Sequence, residues 1–172
     1  MKFGSSGIRG IANQAVTSEL ALRIGRGVGT GRGSVVVGHD TRRAAEMIEY
    51  AAISGLLSVG CRVTRVGMVA TPTLAYAAGD YDCGIMVTAS HNPPEYIGVK
   101  LFNPDGMAFD SEQQKTIERL IGGAEGADTK LASASWDRMH PVRTDENRYR
   151  SVDRACPPFS RAQVVRILCR IS

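Results

Sequence analysis

Gly84-Ile85-Met86-Val87-Thr88-Ala89-Ser90-His91-Asn92-Pro93-Pro94-Glu95-Tyr96-Ile97-Gly98-Val99-Lys100 decides how the rest of the chain reads. A short apolar run bounded by turn residues marks a buried strand. Here Ile85-Met86-Val87 runs into a polar loop presenting Ser90, His91 and Asn92. Two consecutive prolines fix φ and stiffen that loop, and Lys100 follows on a second extended segment. A hydroxyl at the end of a buried strand, with a cation close behind it, points to a serine that takes part in chemistry.

Outward from this loop, strands and helices alternate. Residues 17–31 place Leu20, Ile24, Gly27, Val28 and Gly31 on one helical face, with Thr17 or Ser18 as N-cap. Ser34 to Gly38 reads as a buried strand. Ala44 to Val59 reads as a second helix with Met47, Ala51, Leu56 and Val59 along it, ended by Gly60 in the left-handed conformation. Cys61 to Val66 alternates as a strand, and Thr71-Pro72 opens a short helix as N-cap and first position.

Gly84 to Ala89 is the next strand. Val99 to Phe102 is expected to pair with Met107 to Phe109 across the Asn103-Pro104-Asp105-Gly106 turn, and Ser111 to cap a helix over 112–121. The expected fold is α/β: three layers, α/β/α, around a mixed, mostly parallel sheet. Past Gly122 the pattern weakens. Residues 1–135 read as one domain and 136–172 as a C-terminal extension, with a polar helix over 145–155 and a strand over 163–171.

The 172 residues carry 43% hydrophobic and 22% charged side chains, an ordinary globular balance. The net charge of +4 is scattered, and its densest stretch, Arg138 to Arg170, lacks interleaved aromatics. That argues against a nucleic-acid partner. No apolar run approaches the roughly 20 residues that span a bilayer, so no membrane role is expected. The N-terminal residues lack a signal peptide's apolar stretch, which makes the cytoplasm the expected compartment. Cys61, Cys83, Cys156 and Cys169 show no C-x-x-C spacing, and the first two read as small apolar side chains.

Ligands of open α/β sheets gather beyond the carboxyl ends of the strands. Loops leave such ends at Gly38 to Arg42, Gly67 to Thr71 and Ser90 to Tyr96, and Ser5 to Gly10 adds a glycine-framed arginine. Arg9, Ser90, His91 and Lys100 are therefore expected to converge on an anion, since an arginine fork and a lysine point charge are the usual phosphate partners. Taken alone, Arg9 reads more often as a surface residue, and Asp40 or Thr41 at least as readily as the cap of the next helix. His39 has no second metal ligand at a helix-turn spacing. A Ser90–His91 hydrolase pair is disfavoured because neighbours in an extended loop point apart, and no G-x-S-x-G elbow is present.

At these residues the chain resembles the α-D-phosphohexomutases: phosphomannomutases, phosphoglucomutases and phosphoglucosamine mutases. Phe3 to Gly10 is similar to the family's opening motif, and Thr88-Ala89-Ser90-His91-Asn92-Pro93 matches its phosphoserine loop residue for residue. Gly38-His39-Asp40-Thr41-Arg42 resembles its Gly-Arg-Asp-Thr-Arg segment, and Thr71-Pro72 and Pro104-Asp105-Gly106 fit as well. The likeness runs from Met1 to about Ile121, the family's first domain.

The resemblance implies a mutase that interconverts hexose 1- and 6-phosphates. Ser90 carries the phosphoryl group and a hexose 1,6-bisphosphate is the intermediate. Arg9, Lys100 and Asn92 bind substrate, Lys100 serves as general acid/base and His91 supports the loop. Mg²⁺ is implied at the phosphoserine of Ser90. Mannose or glucose phosphate is the first expectation, and glucosamine phosphate the alternative. Two residues depart from the pattern: His39 replaces an arginine, and Ile97 an asparagine, which implies a lost polar contact beside the serine loop.

No Asp-x-Asp-x-Asp metal loop occurs in these residues. Gln163-Val164-Val165 begins like the family's second domain and then departs from it, the pattern of a truncated or frameshifted product. A non-catalytic sugar-phosphate binder is accordingly the competing reading. Self-association, or association with a chain that carries the other domains, is expected to cover the exposed faces.

Overall fold

The computed structural model describes Gly4, residues 7–122 and residues 140–145. Residue 145, where a helix over 145–155 is expected to begin, is not helical; the rest of that helix and the strand over 163–171 lie outside the described residues. In chain order the elements are β1 (Ile8–Ile11), α1 (Ser18–Gly29), β2 (Ser34–His39), α2 (Ala45–Ser58), β3 (Arg62–Met68), α3 (Thr71–Ala77), β4 (Cys83–Val87), β5 (Tyr96–Phe102), α4 (Ser111–Gly122) and β6 (Arg143–Thr144). A 3₁₀ turn, Ala78–Asp80, follows α3.

One six-stranded sheet runs in the order β1-β5-β4-β2-β3-β6. β4, β2, β3 and β6 are mutually parallel, whereas β5 is antiparallel to both β4 and β1. The mixed α/β fold is therefore as expected. Period-2 alternation sorts the strand side chains into two cores. Val35, Val37, Ile85, Val87, Val99 and Leu101 pack under α1, α2 and α4. Val36, Val66, Met86 and Phe102 face α3 on the opposite side. Between them the two layers cover both faces of β2 and β4, which is why those strands read as continuous apolar runs.

Local chemistry sets the element ends. Thr17 Oγ1 accepts the Leu20 N–H at 3.2 Å, so the expected cap of α1 is present. Gly60 follows α2 at φ 78, as expected. Other expectations shift. The cap of α4 is Asp110, whose Oδ1 accepts from Glu112 N and Gln113 N at 2.9 and 2.8 Å; Ser111 is already helical. Carboxylate oxygen is a better acceptor than hydroxyl for two N–H groups at once. Ala70 rather than Thr71 precedes α3. The buried face of α2 is Ala45, Ile48, Ala52, Ile53 and Leu56, while Met47 and Ala51 lie at its margin.

The expected hairpin from Val99 to Phe109 forms only at its turn end, where β1, which pairs with Tyr96–Val99, no longer covers β5: Phe102 bridges Ala108, the Asn103 N–H donates to Met107 O at 2.7 Å and the Phe109 N–H to Leu101 O at 3.1 Å. β6 joins the sheet on β3, with Thr144 beside Arg65 and the Asp145 N–H donating to Arg65 O at 2.9 Å. α1 and α2 cross in backbone contact. A Cβ at Gly25 would overlap the Ala52 carbonyl, and one at Gly55 the Leu22 carbonyl.

Candidate active site

The site forms where β4 and β2 end. The Asp40 N–H donates to Val87 O at 3.0 Å, which seats the His39–Arg42 loop against the serine loop. Ser90 stands exposed at φ 55, in the left-handed region. A non-glycine residue there costs about 1–2 kcal/mol, so its surroundings must hold it.

They hold it from both ends. The Ser90 N–H donates to Thr88 Oγ1 at 2.9 Å, and the Thr88 hydroxyl donates to Asp40 Oδ2 at 2.7 Å. The Ser90 carbonyl accepts from Arg42 Nη2 at 2.7 Å. Arg42 also donates to the carbonyls of Asn92 (2.8 Å), Pro93 (2.6 Å) and Tyr96 (2.9 Å) and, through Nε, to Asp40 Oδ2 (3.2 Å). Asp40 Oδ1 accepts the Arg42 N–H at 3.0 Å. A net stabilisation of about 1.5–3 kcal/mol for each hydrogen bond to a charged group exceeds the cost of the left-handed backbone. Asp40 therefore ties the two loops together instead of capping α2, whose N-cap is Ala44 without a side-chain bond.

On the neighbouring strands, Arg9 lies opposite Gly98 in the β1–β5 pair, two residues from Lys100 and on the same face. A Cβ at Gly98 would overlap Ile8 O and stand 2.8 Å from both Thr88 O and Arg9 Cγ, so the close backbone approach requires the glycine, and the arginine stem passes over it. Arg9 Nη1 donates to Asn92 Oδ1 at 3.2 Å, while its Nε is buried without a partner. Lys100 is 4% exposed. Its Nζ lies 5.4 Å from the Phe102 ring centroid. Burial, and then the like charge of Arg9, lower the Lys100 pKa. Burial, and then Arg42, lower that of Arg9.

The structure thus joins Arg9 to Asn92, and Asn92 through its carbonyl to Arg42. It also brings Ser90 Oγ and His91 Nδ1 to 3.5 Å. The sequence argument that these two side chains diverge fails, because Ser90 is left-handed rather than extended. No carboxylate pairs with His91 among the described residues, so a serine-hydrolase triad is still not formed. Ile97 is fully buried in the helix-side core, opposite Gly10. Its side chain packs among apolar residues of that core.

His39 is buried as well. Its Nδ1 lies 2.6 Å from Asp40 O and its Nε2 3.8 Å from Glu49 Oε2. Glu49 is fully buried and accepts from Arg65 Nε at 2.8 Å. Burial raises its pKa, against the opposing pull of Arg65 and His39.

Sequence reasoning singled out the Gly38–Arg42 segment but gave Arg42 no role. The signal was available: an arginine two residues after an aspartate, in a loop at the same sheet edge as the serine. For a metal the described residues do not suffice. Asp40 is engaged by Arg42 and Thr88, and no group of three or more His, Cys, Asp or Glu side chains stands ready for an ion among the described residues. These residues alone do not fit a Mg²⁺ site.

A serine held at a sheet edge beside arginines and a buried lysine gathers the cations and donors that suit an anion. The chain belongs to the phosphoglucomutase/phosphomannomutase family. That family's model of the alpha/beta/alpha domain I matches residues 1–127. A probable phosphoglucosamine mutase of Methanococcoides burtonii is 60% identical over 148 residues, covering 86% of this chain and 33% of that one. A phosphoglucosamine mutase of Methanococcus maripaludis is 44% identical over 144 residues, 84% of this chain and 30% of that one.

Among solved structures, a putative phosphomannomutase from Thermus thermophilus superposes with a TM-score of 0.71 at 32% identity, covering 85% of this chain and 33% of that one. The chain therefore spans about a third of the length of the curated relatives it matches. No helix among the described residues is long and apolar enough to cross a membrane.

Proposed function

We propose that this chain supplies the phosphoserine domain of a hexose-phosphate mutase, with Ser90 as the phosphoryl carrier. The observation that carries this reading is the exposed, left-handed Ser90, held at both backbone ends at the edge where Arg9 and Lys100 also lie. Ser90 Oγ gives its phosphoryl group to a hydroxyl of the sugar monophosphate, which yields the hexose 1,6-bisphosphate. After the bisphosphate reorients, the second phosphoryl group returns to Ser90 Oγ and the isomeric monophosphate leaves.

Such transfers depend on positioning and charge neutralisation. Arg9, with its unpartnered Nε, and Asn92 bind the anion. Lys100, whose pKa is lowered by burial and by Arg9, exchanges the proton of the sugar hydroxyl. His91, 3.5 Å from Ser90 Oγ, supports the loop. The names of the relatives favour glucosamine phosphate over the mannose or glucose phosphate ranked first from sequence. Mg²⁺, which the family generally uses, would need ligands beyond those described. The 172 residues acting alone are therefore expected to show no mutase turnover, and robust turnover by a homogeneous preparation would refute that.

The test is intact-mass spectrometry after incubation with glucose 1,6-bisphosphate and Mg²⁺. Gain of one phosphoryl group, absent in Ser90→Ala, supports the carrier role. A phosphoryl group on another residue would overturn it. No gain at all would favour the competing reading of a sugar-phosphate-binding module.

A further inference from the structure

We infer that Arg42, oriented by Asp40, is the positioning residue that sets the conformation of Ser90 for phosphoryl transfer; this rests on Ser90 being the phosphoryl carrier. A guanidinium has five N–H donors in a rigid plane. At Arg42 all are in use: Nε on Asp40, two from Nη1 on Pro93 O and Tyr96 O, and two from Nη2 on Ser90 O and Asn92 O. Every acceptor but Asp40 is a backbone carbonyl of the serine loop. The donor count and the acceptor count match, so no donor of Arg42 is left over for a ligand. That separates it from Arg9, whose Nε has no partner.

The circuit closes through Asp40. Its Oδ2 accepts from both Arg42 Nε and the Thr88 hydroxyl, and Thr88 Oγ1 in turn accepts the Ser90 N–H. One carboxylate thus fixes the group that holds the Ser90 carbonyl and the group that holds its amide. Thr88 is 5% exposed and Asp40 is half-buried, so water competes poorly for the amide-side links. The positive charge of Arg42 is felt at Arg9, so the same side chain adds to the cationic field around the loop.

Lysine at this place would keep the charge but offer three donors from a point and no plane. Arg42→Lys therefore removes the loop's template without removing its cation. Ser90 is the residue whose backbone most needs that template, since its φ lies in the left-handed region. The conformation that exposes its hydroxyl is then one state among several, and transfer slows in proportion to the lost population.

The test compares wild type, Arg42→Lys and Thr88→Val by residue-resolved amide hydrogen exchange and by the rate of phosphoserine formation from glucose 1,6-bisphosphate. In Arg42→Lys, exchange at Ser90 and Asn92 should quicken about tenfold or more, as expected for a lost charged hydrogen bond. Amides of β2 and β4 should not change. Thr88→Val removes the acceptor of the Ser90 N–H directly and should reproduce the effect at Ser90.

In the transfer assay the maximal rate should fall in Arg42→Lys, with half-saturating bisphosphate unchanged. Unchanged exchange at Ser90 and Asn92, or equal acceleration of loop and core amides, would overturn the inference. No phosphoryl gain even by wild type would count against Ser90 as carrier, and the exchange data would still decide whether Arg42 sets the loop.

Discussion

Replacing Lys100 with methionine separates what the fold needs from what the chemistry needs. Lys100 is 4% exposed. Burial, and then the like charge of Arg9, hold its pKa below the ordinary 10.5. Replacing a buried ion by an apolar side chain of similar volume is worth up to about 1–4 kcal/mol. Against that stands the loss of the ammonium over the Phe102 ring, worth about 0.5–2 kcal/mol. A methionine sulfur beside the same ring restores part of it. The balance predicts that Lys100→Met is about 1–2 kcal/mol more stable than wild type at neutral pH.

The sign with pH follows from the lowered pKa. A lysine whose folded pKa is depressed contributes stability that is present above the unfolded value and lost as pH falls through the folded value. Wild type should therefore gain on the variant as pH rises toward 10.5, and the difference should narrow. Urea unfolding at neutral pH and near pH 10.5 measures both, with unchanged m-values as the check on two-state behaviour. A variant less stable than wild type at neutral pH, or a difference independent of pH, would refute the account of Lys100 as an uncompensated buried charge. Phosphoserine formation should be lost in the same variant.

Gly25→Ala, or Gly55→Ala, forces α1 and α2 apart where their backbones touch and should destabilise by about 1–3 kcal/mol in urea unfolding. Glu49→Gln should flatten the pH dependence of stability. The raised Glu49 pKa gives a contribution that is full below 4.5 and lost as pH rises through the folded value, and a neutral amide has none. Burial pushes the Cys61 thiol up to about 11 and the Cys83 thiol up to about 12. Both should resist iodoacetamide at neutral pH until the domain unfolds, as followed by mass spectrometry.

Much of this protein was written in local patterns. The apolar run 85–87, the Thr17 cap and the turn at Gly60 mark elements through backbone and side-chain preferences that act within a few residues. The six residues Thr88 to Pro93 carry the family likeness by themselves. Ser90, Arg9 and Lys100 were likewise legible as chemistry-bearing residue types placed near strand ends.

Tertiary structure alone decided the rest. Which face of α2 is buried depends on where α1 crosses it, and that crossing depends on Gly25 and Gly55 meeting carbonyls from the other helix. Partner choice along β5 was divided: β4 took one edge, β1 took the other over Tyr96–Val99, and the local hairpin to residues 107–109 kept only the Leu101–Asn103 end. The burial of Ile97 depended on the register of β1 against β5. Most of all, the Asp40–Arg42 spacing marks Arg42 for attention, but nothing within a few residues of it names its partners: one guanidinium binds four carbonyls about fifty positions away. Sequence fixes which donors and acceptors exist. Only the parallel pairing of β2 with β4, which brings two loops to one sheet edge, determines that they meet.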